Sequence, residues 1–212
     1  MTIKNYIFDF DGTLMDTQSV ILSTLRRTIA QLGLPPRTDE QCKAVIGIRS
    51  NEAAQALYPE LPAFNAEFAD MFRRNYEETD AVAVVELFPD VKEVLAHLRQ
   101  MGCGLSVASS RSRASLMHYL EQQGIAEWFE MIVGADDVSQ GKPHPEAVLK
   151  VLDAMGWEAE TTLMVGDAAV DIAMGNAAGC HTCAVTFGNG SLADLQAENP
   201  TMIIDRFRDI LV

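Results

Sequence analysis

Four aspartates stand at spacings that suit a cation and a phosphoryl group. Asp9 and Asp11 lie two apart in Asp9-Phe10-Asp11-Gly12-Thr13-Leu14, and Asp167 and Asp171 lie four apart in Gly166-Asp167-Ala168-Ala169-Val170-Asp171. In an extended segment residues two apart point the same way, so Asp9 and Asp11 are expected together, with Phe8 and Phe10 turned to a core. Two facing carboxylates repel, and one protonates unless a cation lies between them. Asp167 at a strand end and Asp171 in the following helical turn can converge on the same volume. Hard oxygen donors without Cys or His partners select Mg²⁺ or a similar ion. Acids at a helix start also cap it. That account serves Asp171 alone but not the set of four.

The surrounding residues suit a phosphate ester. Ser109, with the backbone N–H of Ser110 at the approach to a helix, forms an anion cradle. Lys142 adds a compact positive charge. A carboxylate can attack phosphorus to give an acyl phosphate. Asp9 and Asp11 can divide the work, one as nucleophile and one as acid and base.

These residues need elements to position them. Thr2 to Phe8 reads as a buried strand. Short apolar strands follow at Gly104–Ala108, Met131–Val133, Thr162–Val165, Cys180–Val185 and Thr201–Ile204. Helices alternate with them: one opened by Pro89, then Ser112–Gln123, Pro145–Met155 with Val148, Leu149, Val151, Leu152 and Met155 inward, and Ala168–Ala178. A short helix is expected at the C-terminus. This rhythm predicts an α/β fold, a doubly wound parallel sheet covered on both faces. Sites in such sheets form at the carboxyl ends of the strands, where the residues above all fall. Between the first strand and Glu86 no strand pattern occurs, only helical stretches: one carrying Ile21, Leu25, Ile29 and Leu32, then Asp39–Ile46, Asn51–Leu57 and Pro62–Thr79. That block is too long for a crossover and reads as an inserted all-helical cap. The expected division is a core of 1–15 and 84–212 with a cap of 16–83. Hinges are expected near Leu14–Thr17 and Asp80–Glu86.

The 212 residues carry 16 Lys and Arg against 30 Asp and Glu, a formal charge of −14. So acidic a chain is a poor general binder of nucleic acid or anionic membrane. At 48% hydrophobic it is not a disordered acidic tail. The start lacks a signal-peptide pattern, and four cysteines are too sparse for a disulfide scaffold, so the cytoplasm is expected. Cys180 and Cys183 have zinc-pair spacing but no second ligand pair, and in a strand they point to opposite faces. Arg111 and Arg113 are expected to be a solvated helix start, with electrostatic help to the cradle as the alternative. Asp136 and Asp137 are expected to be a water-exposed loop pair.

Together, the Asp9–Leu14 segment, Ser109, Lys142 in Gly141-Lys142-Pro143-His144-Pro145, and Gly166-Asp167 through Asp171 resemble the four ordered motifs of the haloacid dehalogenase superfamily. The resemblance covers essentially the whole chain. It implies a Rossmann-like core, a helical cap after the first motif and a phosphoaspartyl mechanism. It places the nucleophile at Asp9 and the acid/base at Asp11. Mg²⁺ would be held by the Asp9 side chain, the Asp11 backbone carbonyl and Asp167, supported by Asp171. Ser109, Ser110 and Lys142 would bind phosphate, with Gly12 and Thr13 of the first motif. The superfamily's dehalogenases lack the second aspartate, so Asp11 with Thr13 points to a phosphatase or phosphomutase acting on a small phosphorylated metabolite. Asp16-Thr17 resembles the β-phosphoglucomutase-like members, but Ile21 stands where they carry a cap histidine, which counts against mutase activity. Gly47-Ile48-Arg49-Ser50 resembles the cap loop that reaches into the site. There Arg49 either grips a distal anionic group of the substrate or is a solvated loop arginine. Thr186-Phe187-Gly188-Asn189-Gly190-Ser191 resembles the phosphoglycolate phosphatase branch. A receiver-type phosphoaspartate module fits less well, because it would be shorter, capless and with its acceptor after a middle strand.

Overall fold

The structure is a computed structural model that describes residues 2–80 and 85–211. Strand β1 (Asn5–Phe8) leads into four helices, α1 (Gln18–Gln31), α2 (Asp39–Lys43), α3 (Ser50–Leu57) and α4 (Asn65–Asp80). The alternating part follows: α5 (Val91–Gln100), β2 (Gly104–Ala108), α6 (Arg113–Gln122), β3 (Met131–Val133), α7 (Glu146–Met155), β4 (Thr162–Gly166), α8 (Ala169–Ala177), β5 (His181–Val185), α9 (Leu192–Ala197) and β6 (Met202–Ile204). A tight helical turn, Phe207–Leu211, follows β6.

The strands form one parallel sheet in the order β3-β2-β1-β4-β5-β6. The chain runs outward from β1 on one side, then restarts at β4 on the other, so the topological switch lies between β1 and β4. Phe8 is level with both Val107 and Val165. The residues that follow these three strands therefore emerge side by side.

Strand alternation sorts the core into two layers. Tyr6, Phe8, Leu105, Val107 and Val165 pack with Leu95 and Leu98 of α5 and with Leu116 and Leu120 of α6. Ile7, Ala108 and Met164 pack with Val148 and Val151 of α7 and Met174 of α8. Cys180 and Cys183 fall in opposite layers, as their spacing predicts. All four cysteines are unpaired, and burial raises the thiols of Cys180, to about 11, and Cys183, to about 12. Leu149 differs from the expectation: it is 41% exposed, because the buried stripe of α7 takes Val148, Val151 and Leu152 and leaves Leu149 beside it. Helix α2 ends at Lys43, short of Ile46, and α9 was not expected at all.

The helical insert has its own apolar cluster, including Leu25, Ile29, Ala54, Leu57 and Phe68. Asn75 of α4 donates a buried hydrogen bond to Thr28 Oγ1 of α1 at 2.9 Å, which pins the two helices together. The chain enters and leaves the insert side by side: Asp16 N donates to Glu86 O, and Phe88 N to Leu14 O, each at 3.0 Å. The expected hinge at Leu14–Thr17 lies on this paired segment. Residues 81–84, which hold the expected second boundary and part of the second hinge, lie outside the described residues. Among the described residues no helix is long and apolar enough to cross a membrane.

Candidate active site

Three carboxylates meet where the switch point predicts. Asp9 follows β1, Asp167 follows β4, and Asp171 lies in the first turn of α8. All are buried, with one carboxylate oxygen of each within 4.8 Å of the others. Asp171 Oδ2 accepts from Ala168 N at 3.0 Å, closing the start of α8. Its other oxygen accepts from Lys142 Nζ at 2.6 Å. Helix capping and site chemistry thus use the two oxygens of one side chain. Lys142, also buried, donates to Asp9 Oδ1 as well.

Asp167 is gripped from three directions. It accepts from Thr13 Oγ1 at 3.3 Å, from Asn189 N at 2.6 Å and from Asn189 Nδ2 at 3.1 Å. Gly12, at φ +84°, explains the glycine of the first motif: a Cβ there would sit 2.1 Å from Asp167 Oδ2. Gly12 and Thr13 therefore stand as supports of Asp167.

Burial raises the Asp9 carboxyl well above the usual range. Lys142 opposes this, and Asp171, Asp167 and Asp11 add to it. Burial likewise lifts Asp167 to about 7, reinforced by Asp171 and opposed by the Asn189 hydrogen bonds and Lys142. For Lys142, burial pulls the ammonium down, but Asp171 and Asp9 overcome it and hold the group above its ordinary value. One ammonium cannot balance three buried carboxylates, so protons or a further cation must. Asp9 Oδ2 is fully buried and has no hydrogen-bond partner among the described residues. An orphaned anionic oxygen within an all-oxygen cluster fits a hard divalent cation such as Mg²⁺.

The Asp11 carboxylate does not join Asp9 in the cluster, although the spacing predicts the two together. Its carboxylate is held by Arg111, with Nε donating to Oδ2 at 3.2 Å and Nη2 donating to Oδ1. Each motif aspartate thus has its own cation, and the side chain of Asp11 is outside the carboxylate cluster. Arg111 is a correction. It was expected at a solvated helix start, yet its side chain is only 4% exposed and its guanidinium lies among the rings of Phe10, Tyr76 and Tyr119. Ser109 Oγ accepts from Arg111 N at 3.3 Å, so the cradle turn is closed by its own hydroxyl. Ser110 turns its hydroxyl to the insert, donating to Gly47 O at 2.7 Å.

Arg49 follows neither expected course. Its guanidinium donates to the carbonyls of Ser139 at 3.0 Å, Ala135 at 3.2 Å and Val138 at 2.8 Å. This fastens the insert to the loop after β3, as Ser110–Gly47 fastens it to the turn after β2. Asp136 is exposed, as expected, and Asp137 partly so, and they accept from Arg113 N at 2.7 Å and Gly134 N at 2.8 Å.

Sequence reasoning missed Arg111 as a partner of Asp11, and Asn189. For Asn189 a signal existed: it lies after β5, at the same sheet edge as the other site residues. Gln18 at the start of α1 donates to its Oδ1 at 2.9 Å. A cavity of about 510 Å³ lies between this edge and the insert, with Asp9, Asp11, Ser109 and Arg111 on its core side.

A helix-covered parallel sheet with carboxylates and a lysine at its switch point defines the class, and comparison with known proteins gives the family. Residues 6–185 match the haloacid dehalogenase-like hydrolases, and the chain belongs to that family. It is 34% identical to "Probable phosphatase IndB" of Dickeya dadantii, covering 97% of this chain and 90% of that protein. It is 30% identical to the phosphoglycolate phosphatase of Photorhabdus laumondii, covering 99% and 91%. A crystal structure from Bacteroides fragilis, assigned to the haloacid dehalogenase-like hydrolases, superposes with a TM-score of 0.90 at 29% identity over 99% of this chain and 100% of that one. A hydrolase of Pseudomonas syringae shares the fold at 20% identity and a TM-score of 0.86, over 98% and 96%. The chain is an enzyme, a hydrolase of the phosphatase kind.

Proposed function

We propose that this chain is a Mg²⁺-dependent phosphatase that hydrolyses the phosphate monoester of a small metabolite through phosphoaspartate at Asp9. The observation that carries the reading is Asp9 itself: a buried carboxylate with one oxygen on Lys142 and the other orphaned, on the wall of the cavity.

Asp9, Asp167 and Asp171 would hold the ion, with the Asp11 backbone carbonyl. When bound, Mg²⁺ supplies charge neutralisation for the phosphoryl oxygens. Asp9 attacks phosphorus, forming an acyl phosphate as the ester P–O bond breaks. The departing oxygen takes a proton from Asp11. Water then attacks the acyl phosphate, giving its proton to Asp11, and inorganic phosphate leaves with Asp9 regenerated. Lys142 and the Ser109–Ser110 turn would bind the transferring group. Arg111 would hold Asp11 at its station for proton delivery.

Residues 16–83 would serve as the cap, moving on the Leu14–Thr17 hinge and its partner near Asp80–Glu86. The Arg49 and Ser110 contacts would hold the closed position and exclude water. Four unpaired cysteines support the cytoplasm as its compartment. The mutase reading gains nothing from the insert, where Ile21 presents no titratable group to the cavity.

Phosphate release from p-nitrophenyl phosphate tests the reading. Release is expected with Mg²⁺, falling to background on chelation and, by at least about a thousandfold, in Asp9→Asn. Near-normal turnover in Asp9→Asn would overturn it, as would isomerisation of a hexose 1-phosphate without free phosphate.

A further inference from the structure

The cavity has two unlike walls. Facing Asp9 and Ser109, the insert contributes Ile21, Val45, Ile46, Ile48, Phe72 and Tyr76. Phe72 and Tyr76, one turn apart on α4, continue a row begun by buried Phe68. The Phe68 and Phe72 rings are 6.5 Å apart and nearly parallel at 5°, and Phe72 and Tyr76 are 5.7 Å apart. Phe72 is only partly buried and lines the cavity, and the half-buried Tyr76 ring beyond it lies against the Arg111 guanidinium, 4.7 Å from its centroid.

The buried and half-buried arginines of the lining are already committed. Of the arginines in the lining, Arg49 donates to three backbone carbonyls, Arg111 forks onto Asp11, and Arg73 pairs with Asp70 on the exposed face of α4. A carboxylate seated against Ile21 and Phe72 would lose water to apolar side chains, and the exposed Arg73–Asp70 pair at the surface does not repay that loss. Size argues the same way. About 510 Å³ leaves room for a ring-bearing ligand, more than a two-carbon ester fills.

We infer that the substrate is a phosphate monoester whose alcohol portion is apolar and of ring size, seated against Phe72 and Ile21, and not a short anionic ester such as the relatives' phosphoglycolate. This rests on the phosphatase reading above. The core wall takes the phosphoryl group, and the insert wall selects the leaving group by apolar burial and ring contact.

The test is kcat/KM for three esters of closely matched chemistry: 2-phenylethyl phosphate, ethyl phosphate and 2-phosphoglycolate. The phenylethyl and ethyl esters leave as alcohols of similar acidity, so their ratio reports the cavity and not the bond. The expected ratio of phenylethyl to ethyl is at least about tenfold, with 2-phosphoglycolate no better than ethyl phosphate. In Phe72→Ala the ratio should fall several-fold, chiefly through a higher KM for the phenylethyl ester, and Phe72→Leu should restore part of it. Equal rates for the two alkyl esters, or 2-phosphoglycolate as the best of the three, would overturn this inference while leaving the phosphatase reading intact. No phosphate from any ester would overturn that reading, and the inference with it.

Discussion

The two walls of the cavity were made by different rules. On the core side, charge is buried and paired: Lys142 with Asp9 and Asp171, Arg111 with Asp11, Asn189 against Asp167. On the insert side the lining is mainly aliphatic and aromatic, and its charged members on α4, Arg73 and Glu77, are exposed. Buried charge needs partners fixed to within a bond length, and the rigid ends of β1, β2 and β4 provide that. Apolar contact tolerates looser placement, which suits an inserted element with its own core. The difference separates reaction from selection: changes to the core wall should alter turnover of every ester, and changes to the insert wall should alter which ester is preferred.

The loss in Asp9→Asn is the largest effect expected on the core side. Arg111→Ala comes next. It frees Asp11 from its fork, so kcat should fall by about tenfold or more for all esters alike, and the pH dependence of kcat should shift. Arg111→Lys, which cannot form the two-pronged contact, should recover little. An unchanged pH profile with only KM altered would move Arg111 to the substrate side and blur the comparison.

The smallest effect is on stability. Burial and Asp171 hold Asp167 up at about 7 in the folded chain, whereas in the unfolded chain it titrates near its ordinary value of about 4. Between those values the folded state binds more protons than the unfolded one. Its stability without metal therefore falls as pH rises through the window, and the two states are equally protonated below it. Mg²⁺ binding needs the ionised carboxylates. It should raise the Tm by a few degrees at about pH 7 and by less at about pH 5, with the difference lost in Asp167→Asn. An equal Mg²⁺ response at both pH values in wild type would place the ion elsewhere.

What was legible in the sequence follows from the same contrast. Asp9, Ser109, Lys142 and Asp167 could be found because a parallel sheet presents its strand-end residues at one edge, and short apolar strands are easy to read. Asp171 could be found because it sits one helical turn away. Arg111 could not be paired with Asp11, since a hundred residues separate them and only the fold brings β1 and β2 together. The carbonyl contacts of Arg49 were illegible for a related reason: they depend on where the insert docks, which no local pattern encodes. Leu149 failed on periodicity, because its apolar neighbours widen the stripe beyond the face that α7 buries.

The central claim is that the core wall transfers the phosphoryl group to Asp9. Acid-quenching Asp11→Asn with a radiolabelled phosphate monoester and Mg²⁺, then mapping the labelled peptides, tests it most directly. Losing the group that activates water should leave the acyl phosphate standing. The account predicts label on the peptide bearing Asp9, absent when Asp9→Asn is added. Continued phosphate release with no labelled peptide, or label retained without Asp9, would contradict it.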